Sequence, residues 1–253
     1  MTDDRINTLF FELFSNLPRQ GPGDDTSTRK ALALVPGISA QTRALDIGCG
    51  TGRQSLVLAQ HSSARIVAID NHAPFVEELN REARARGLAG ALEGRVGDMH
   101  RFDFPPASFD LMWCEGAIYV VGFEAGLRAW RSLLKPGGFM AVTEVCWTRP
   151  NPPPDCAAFW AEQYPAIRDG AALRAAIDEC GYETVDHFPL PESAWWDDYY
   201  HPLEQNLAAF RQHRAGDRDA QELADQVQRE IDMWHAYGDF YGYEFFVLRR
   251  RDG

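Results

Sequence analysis

The chain has 253 residues, 45% of them hydrophobic, enough to build one elaborated domain or two closely joined lobes. Twenty-five basic residues against 37 acidic ones give a formal charge of −12, a field that repels phosphate and argues against nucleic acid as a partner. No apolar run approaches the roughly 18 residues of a membrane span, no signal core follows Met1-Thr2-Asp3-Asp4-Arg5, and five cysteines without C-x-x-C spacing predict reduced thiols in a cytoplasmic protein that holds no metal.

Ile6, Leu9, Phe10, Leu13, Phe14 and Leu17 recur at helical spacing and predict an amphipathic helix over 3–16. Pro18 and Gln20-Gly21-Pro22-Gly23 break it, and a short helix over 25–35 ends at Pro36-Gly37. From residue 42 strands and helices alternate, the signature of a parallel βαβ sheet. Strands are expected at 42–47, 64–70, 91–97, 108–114 and 138–147, and helices at 52–61, 73–86 and 123–134. Lys135-Pro136-Gly137-Gly138 reads as a sharp turn, and Pro150-Asn151-Pro152-Pro153-Pro154 as a stiff linker. Helical stretches near 155–163 and 169–180 follow, then strands at 182–188 and 241–250. Between those strands lies an insertion of two helices, the second capped by Asp217.

The most informative stretch is Ala44-Leu45-Asp46-Ile47-Gly48-Cys49-Gly50-Thr51-Gly52, where the first strand enters the next helix. Alternate glycines let the backbone turn tightly and approach a ligand, while the helix N-terminus favours negative charge. A dinucleotide fingerprint needs a third glycine where Arg53 stands, and Gly52-Arg53-Gln54 is not the end of a phosphate-cradling Walker loop. What remains, Asp-x-Gly-x-Gly-x-Gly, resembles the class I S-adenosylmethionine (SAM)-dependent methyltransferases. Within them the chain is similar to the methyltransferase type 11 and ubiquinone/menaquinone-methylase-like set. The narrower likeness rests on Arg19 to Gly23, on Glu115-Gly116-Ala117-Ile118-Tyr119, and on a Trp-rich insertion ending Tyr200-His201-Pro202-Leu203-Glu204.

The resemblance implies an α/β fold with a Rossmann-like seven-stranded sheet, order 3-2-1-4-5-7-6, the last strand antiparallel. Residues 1–37 would form an N-terminal helical lid, 38–190 with 239–253 the SAM-binding domain, and 191–238 a helical cap. It assigns the SAM tail to Gly48, Cys49, Gly50 and Gly52, with Gln20 and Gln54 alongside, and its ammonium to Asp46, which would also brace the loop. Asp70, ending the second strand, suits the ribose, with an N-cap as the alternative. Asp98 would take the adenine amino group, with Gly97, Met99 and Asn71 or His72 about the ring.

Glu115 would hold the ligand, orient a nucleophile or bond its own loop, and His201 would act in catalysis or cap a helix. Tyr119, Trp147, Tyr164, Tyr199, Tyr200 and His201 would line a pocket for a small organic acceptor. Methyl transfer from a sulfonium is an in-line displacement of a good leaving group, so a dedicated base is optional. Two rival readings are a SAM-binding regulatory or scaffold protein and an NAD-dependent oxidoreductase. The apolar faces of the lid would alternatively bury one another in a homodimer.

Overall fold

The computed structural model describes residues 3–252. Its strands are β1 (Arg43–Ile47), β2 (Arg65–Asp70), β3 (Leu92–Val96), β4 (Phe109–Cys114), β5 (Leu134–Trp147), β6 (Arg168–Asp169), β7 (Tyr182–Pro189) and β8 (Tyr241–Arg250). They form one sheet in the order β3-β2-β1-β4-β5-β8-β7, and β6 adds two residues beside the end of β5. With β6 left out of the count, this is the expected order 3-2-1-4-5-7-6. The last strand runs antiparallel to both neighbours, as expected.

Alternation along the strands sends residues to two cores. Ala44, Ile66, Trp113, Ala141 and Val247 meet α2 (Asp25–Ala33), α3 (Arg53–His61) and α4 (Ala73–Ala85). Leu45, Met112, Val142 and Leu248 meet Phe123 and Leu127 of α5 (Phe123–Trp130) and Leu173 and Ile177 of α7 (Gly170–Glu179). A strand buried on both faces must be apolar throughout, which is why these segments read clearly.

Two local expectations need correction. Lys135 to Gly138 do not form a free turn: β5 already begins at Leu134, which pairs with Phe109, while Phe139 pairs with Leu111. The extra residues bulge out of the ladder, with Pro136 lacking an N–H and Gly137 at φ +67°. Helix α5 correspondingly stops at Trp130 and tightens into a 3₁₀ turn, Arg131–Leu133.

A third core caps the carboxyl ends of the parallel strands. It joins α1 (Asp3–Phe14), α8 (Glu192–Trp195), α9 (His201–His213) and α10 (Arg218–Tyr237) to Val145 and Tyr241, with α6 (Pro154–Gln163) at its margin. The insertion holds more than two helices, because Trp196–Tyr200 make a π turn between α8 and α9. That wide turn sets Trp195 and Tyr200 on the same buried side, their rings 5.9 Å apart. Asp217 caps α10 through the Ala220 N–H (3.3 Å).

Helix α1 and the insertion are fastened to each other. Asn206 donates to the carbonyls of Leu13 (3.2 Å) and Ser15 (2.9 Å), Arg214 pairs with Glu12 (3.0 Å), and Arg5 pairs with Asp219 (3.2 Å). Much of the apolar face of each segment, Leu9 and Leu13 on one side and Leu203, Leu207 and Ile231 on the other, packs within the chain. No helix among the described residues is long and apolar enough to cross a membrane.

Candidate active site

The glycine loop leaves β1 at the carboxyl edge of the sheet, tied to β2 by the Cys49 N–H on the Ile69 carbonyl (2.9 Å). Gly48 and Gly50 have φ of +69° and +55°. A Cβ on Gly48 would stand 2.5 Å from Ala117, and one on Gly50 would stand 2.5 Å from Gln20 Oε1. Both positions need glycine for conformation and for space. Gly52 is different: its Cβ would meet Leu79 of α4 at 2.1 Å, so it serves packing between helices and faces no hollow.

Three hollows lie in a row along this edge. The first, about 60 Å³, is lined by Gly48, Asp70, Asn71, Gly97, Asp98, Met99 and neighbours. The second, also about 60 Å³, shares Gly48 and is lined by Arg19, Gln20, Cys49, Gly50, Arg53, Gln54 and Glu115. The third is a larger cavity of about 260 Å³ that shares Gln20, Gly21, Pro22 and Gly116 with the second. The site residues expected from the two halves of the glycine loop and the third strand thus come together.

Several carry different contacts from those expected. Asp46 is fully buried beneath the loop, hydrogen-bonded to the Ser55 hydroxyl, and lines no hollow. Burial pushes its carboxyl up to about 7, aided by the charges of Glu115 and Asp70, so a brace describes it better than an ammonium ligand. Asp70 accepts from the Gly50 N–H and the His72 N–H, both at 2.9 Å, and still borders the first hollow. His72 is stacked on Phe11 of α1, their centroids 3.7 Å apart. Gln20 Oε1 accepts from the N–H (2.9 Å) and the hydroxyl (3.0 Å) of Thr51, so the segment after α1 straps the loop.

Glu115 is fully engaged. Its Oε1 accepts from Thr28 (2.8 Å) and from the Trp113 indole (2.7 Å), and its Oε2 accepts from Arg19 (3.2 Å). Burial pushes its carboxyl up while Arg19 opposes the shift. Arg19 also meets Asp25 (3.1 Å), which binds Arg53 through both oxygens at 2.9 Å. This chain of charges locks the strap to β4, α2 and α3, and three hydrogen bonds hold Glu115 in a structural role.

Tyr119 and Tyr164 border the third cavity, and Tyr199 joins them. Trp147, Tyr200 and His201 do not line it. Trp147 pairs with Tyr241 at the end of β5, and Tyr200 is buried, donating to Glu230 (2.8 Å). His201 is exposed and meets Gln205 (3.1 Å), having been carried outward at the first turn of α9. Residues that sequence reasoning missed are Thr143, Glu144, Glu230 and Tyr243 on the cavity wall, and Arg19 beside the second hollow. Thr143 Oγ1 accepts the Gly116 N–H (2.7 Å) at the lip between the two hollows. Glu144 accepts from the Tyr164 hydroxyl (2.6 Å), and burial pushes its carboxyl up to about 7. The indole nitrogens of Trp160 and Trp195, whose rings line the cavity, are buried without an acceptor. An acid inside the apolar run Phe139 to Cys146 was the available signal for Glu144.

Comparison with known proteins agrees with this geometry. Residues 44–138 match the family described as a methyltransferase domain. The chain is 28% identical to phosphoethanolamine N-methyltransferase 3 of Arabidopsis thaliana over 158 residues, 61% of this chain and 30% of that protein. It is 31% identical to a sterol 24-C-methyltransferase of Aspergillus fumigatus over 118 residues, 46% of this chain and 31% of that one. The chain therefore spans about a third of the length of these curated relatives. A SAM-dependent methyltransferase from Thiobacillus denitrificans, solved with S-adenosyl-L-homocysteine, superposes with a TM-score of 0.80 at 22% identity, covering 99% of this chain and 100% of that one. The fold is that of the class I SAM-dependent methyltransferases. The segment that matches the methyltransferase-domain family runs from Ala44 to Gly138.

Proposed function

We propose that this protein transfers the methyl group of SAM to a small organic acceptor seated in the third cavity. The observation that carries this reading is the continuity of the hollows, joined first through Gly48 and then through Gln20, Gly21, Pro22 and Gly116. Gly48 borders the first two hollows and Gly50 the second, so the turn of the loop brings backbone up to the place where a cofactor's amino-acid tail would lie. SAM supplies, when bound, a methyl group already activated on a sulfonium.

The residues of this chain bind and enclose. Asp98, Met99 and Asn71 border the hollow suited to adenine, with Asp70 at the ribose end. The N-terminus of α3, at Arg53 and Gln54, borders the hollow suited to the tail carboxylate. Residues 3–37 and 191–238 act as a lid that shuts water out of the reacting end, and no residue need serve as a base. The third cavity approaches the size of small-ligand sites, on the order of 300 Å³, and the charge of −12 disfavours a nucleic-acid acceptor.

Calorimetric titration tests the reading. S-adenosylhomocysteine binds and NAD does not, because Arg53 replaces the glycine that a dinucleotide loop needs. Asp70→Ala weakens that binding by about 1.5–3 kcal/mol, the range for hydrogen bonds to a charged group. Unchanged affinity in a folded variant would reduce Asp70 to a helix cap. Cofactor binding with no S-adenosylhomocysteine formed across an acceptor panel would favour a sensor or scaffold.

A further inference from the structure

The third cavity carries two carboxyl groups on different walls. Glu144 comes from the middle of β5 and is 2% exposed, and Glu230 comes from α10 in the lid. Each spends one oxygen on a tyrosine, Tyr164 at 2.6 Å and Tyr200 at 2.8 Å. Each keeps Oε2 without a hydrogen-bond partner among the described residues. The fields of both reach the hydroxyls of Tyr119 and Tyr243 on the cavity wall.

No lysine, arginine or histidine is among the described residues lining this cavity. The cations nearby are committed elsewhere. Arg19 holds Glu115 and Asp25 (3.1 Å), and Arg168, whose field reaches Glu144, is paired with Glu124 at 2.8 Å. The remaining wall is largely aromatic, with Phe10, Tyr119, Trp160, Tyr199 and Tyr243. Carboxyls withdrawn from water without a cation are expensive to ionise; Glu144 is buried and Glu230 half-buried, and the loss of solvent pushes both of them up. A ligand bearing positive charge would restore their ionisation while the ring faces attract it.

We propose that the cavity recognises a small organic cation, an amine in its protonated or alkylated form, held by Glu144 and Glu230 within the aromatic wall. This deepens the methyl-acceptor reading and rests on it: the acceptor class is an amine. A neutral acceptor would supply no charge to offset their ionisation, and an anionic one would face like charge.

The test is calorimetry on the full chain saturated with S-adenosylhomocysteine, using choline and its uncharged isostere 3,3-dimethylbutan-1-ol as probes. Choline is expected to bind at least tenfold tighter than the alcohol. Glu144→Gln and Glu230→Gln should each weaken choline threefold or more while leaving the affinities of the alcohol and S-adenosylhomocysteine unchanged. Should one variant fail to fold, the other carries the comparison. Equal affinity for the two probes, binding of neither, or choline affinity indifferent to both substitutions overturns the cation. Failure of S-adenosylhomocysteine itself to bind overturns the methyltransferase reading instead, so the two failures are separable.

Discussion

At the scale of single residues, the glycine loop is held from below by an acid and from above by an amide. Asp46 ionises near 3.8 in the unfolded chain and near 7 when folded. The folded state therefore binds more protons between those values, so this group's contribution to stability is full at low pH and declines as pH rises towards 7. Asp46→Asn removes the dependence. The melting-temperature difference, wild type minus variant, should fall steadily from pH 4 to pH 7 in calorimetric scans, and a flat difference would show that Asp46 ionises normally. Above the loop, Gln20 occupies the space beside Gly50. Gly50→Val places branched carbon there at a φ of +55°, and should drive S-adenosylhomocysteine binding below detection while circular dichroism stays native. Retained binding would disprove the loop's role.

At the scale of elements, the strap between α1 and α2 depends on one buried ion pair. Arg19 is 4% exposed and its partner Glu115 9%. Arg19→Met strands a buried carboxylate and should cost about 3–5 kcal/mol in urea unfolding, whereas Arg19→Met with Glu115→Gln should recover much of the loss. No recovery would mean that the packing of Arg19, not its charge, sets the cost. Elements of this kind divide what was legible in the sequence from what was not. The strands and the loop motif could be read because each is a local pattern, an apolar run or a glycine spacing. The strap could not, since Arg19 and Glu115 stand 96 positions apart and only the fold makes them neighbours. Glu144 was hidden the other way, as a single acid in a strand otherwise apolar enough to read as plain core. His201 and Trp147 misled because an aromatic-rich segment reveals that it is buried but not towards which side. The start of β5 was misplaced because Pro136 and Gly137 have the composition of a turn, and a bulge uses the same residues.

At the scale of the whole molecule, the carboxyl edge of the sheet borders the first two hollows, and α1 with the insertion walls the third. The lid's two segments share one core and are joined by Asn206, Arg214 and Arg5, while Gly23 N–H reaches the Ala194 carbonyl (2.9 Å). They should open and close together. Limited proteolysis is expected to show S-adenosylhomocysteine protecting bonds near Gly21 and near Asp197 in parallel. Protection at one site alone would mean that the segments move separately, and at neither that there is no moving lid.

The mutual fastening of α1 and the insertion also governs how the protein can be re-engineered. A graft that exchanges 191–238 alone for the corresponding piece of another enzyme would leave Glu12 and the carbonyls of Leu13 and Ser15 without their partners, and Leu9 and Leu13 without a surface to rest on. A chimaera that carries 3–37 along with it keeps that seam intact. Although more than half of the chain separates them, the two segments of the proposed lid are a single transplantable part.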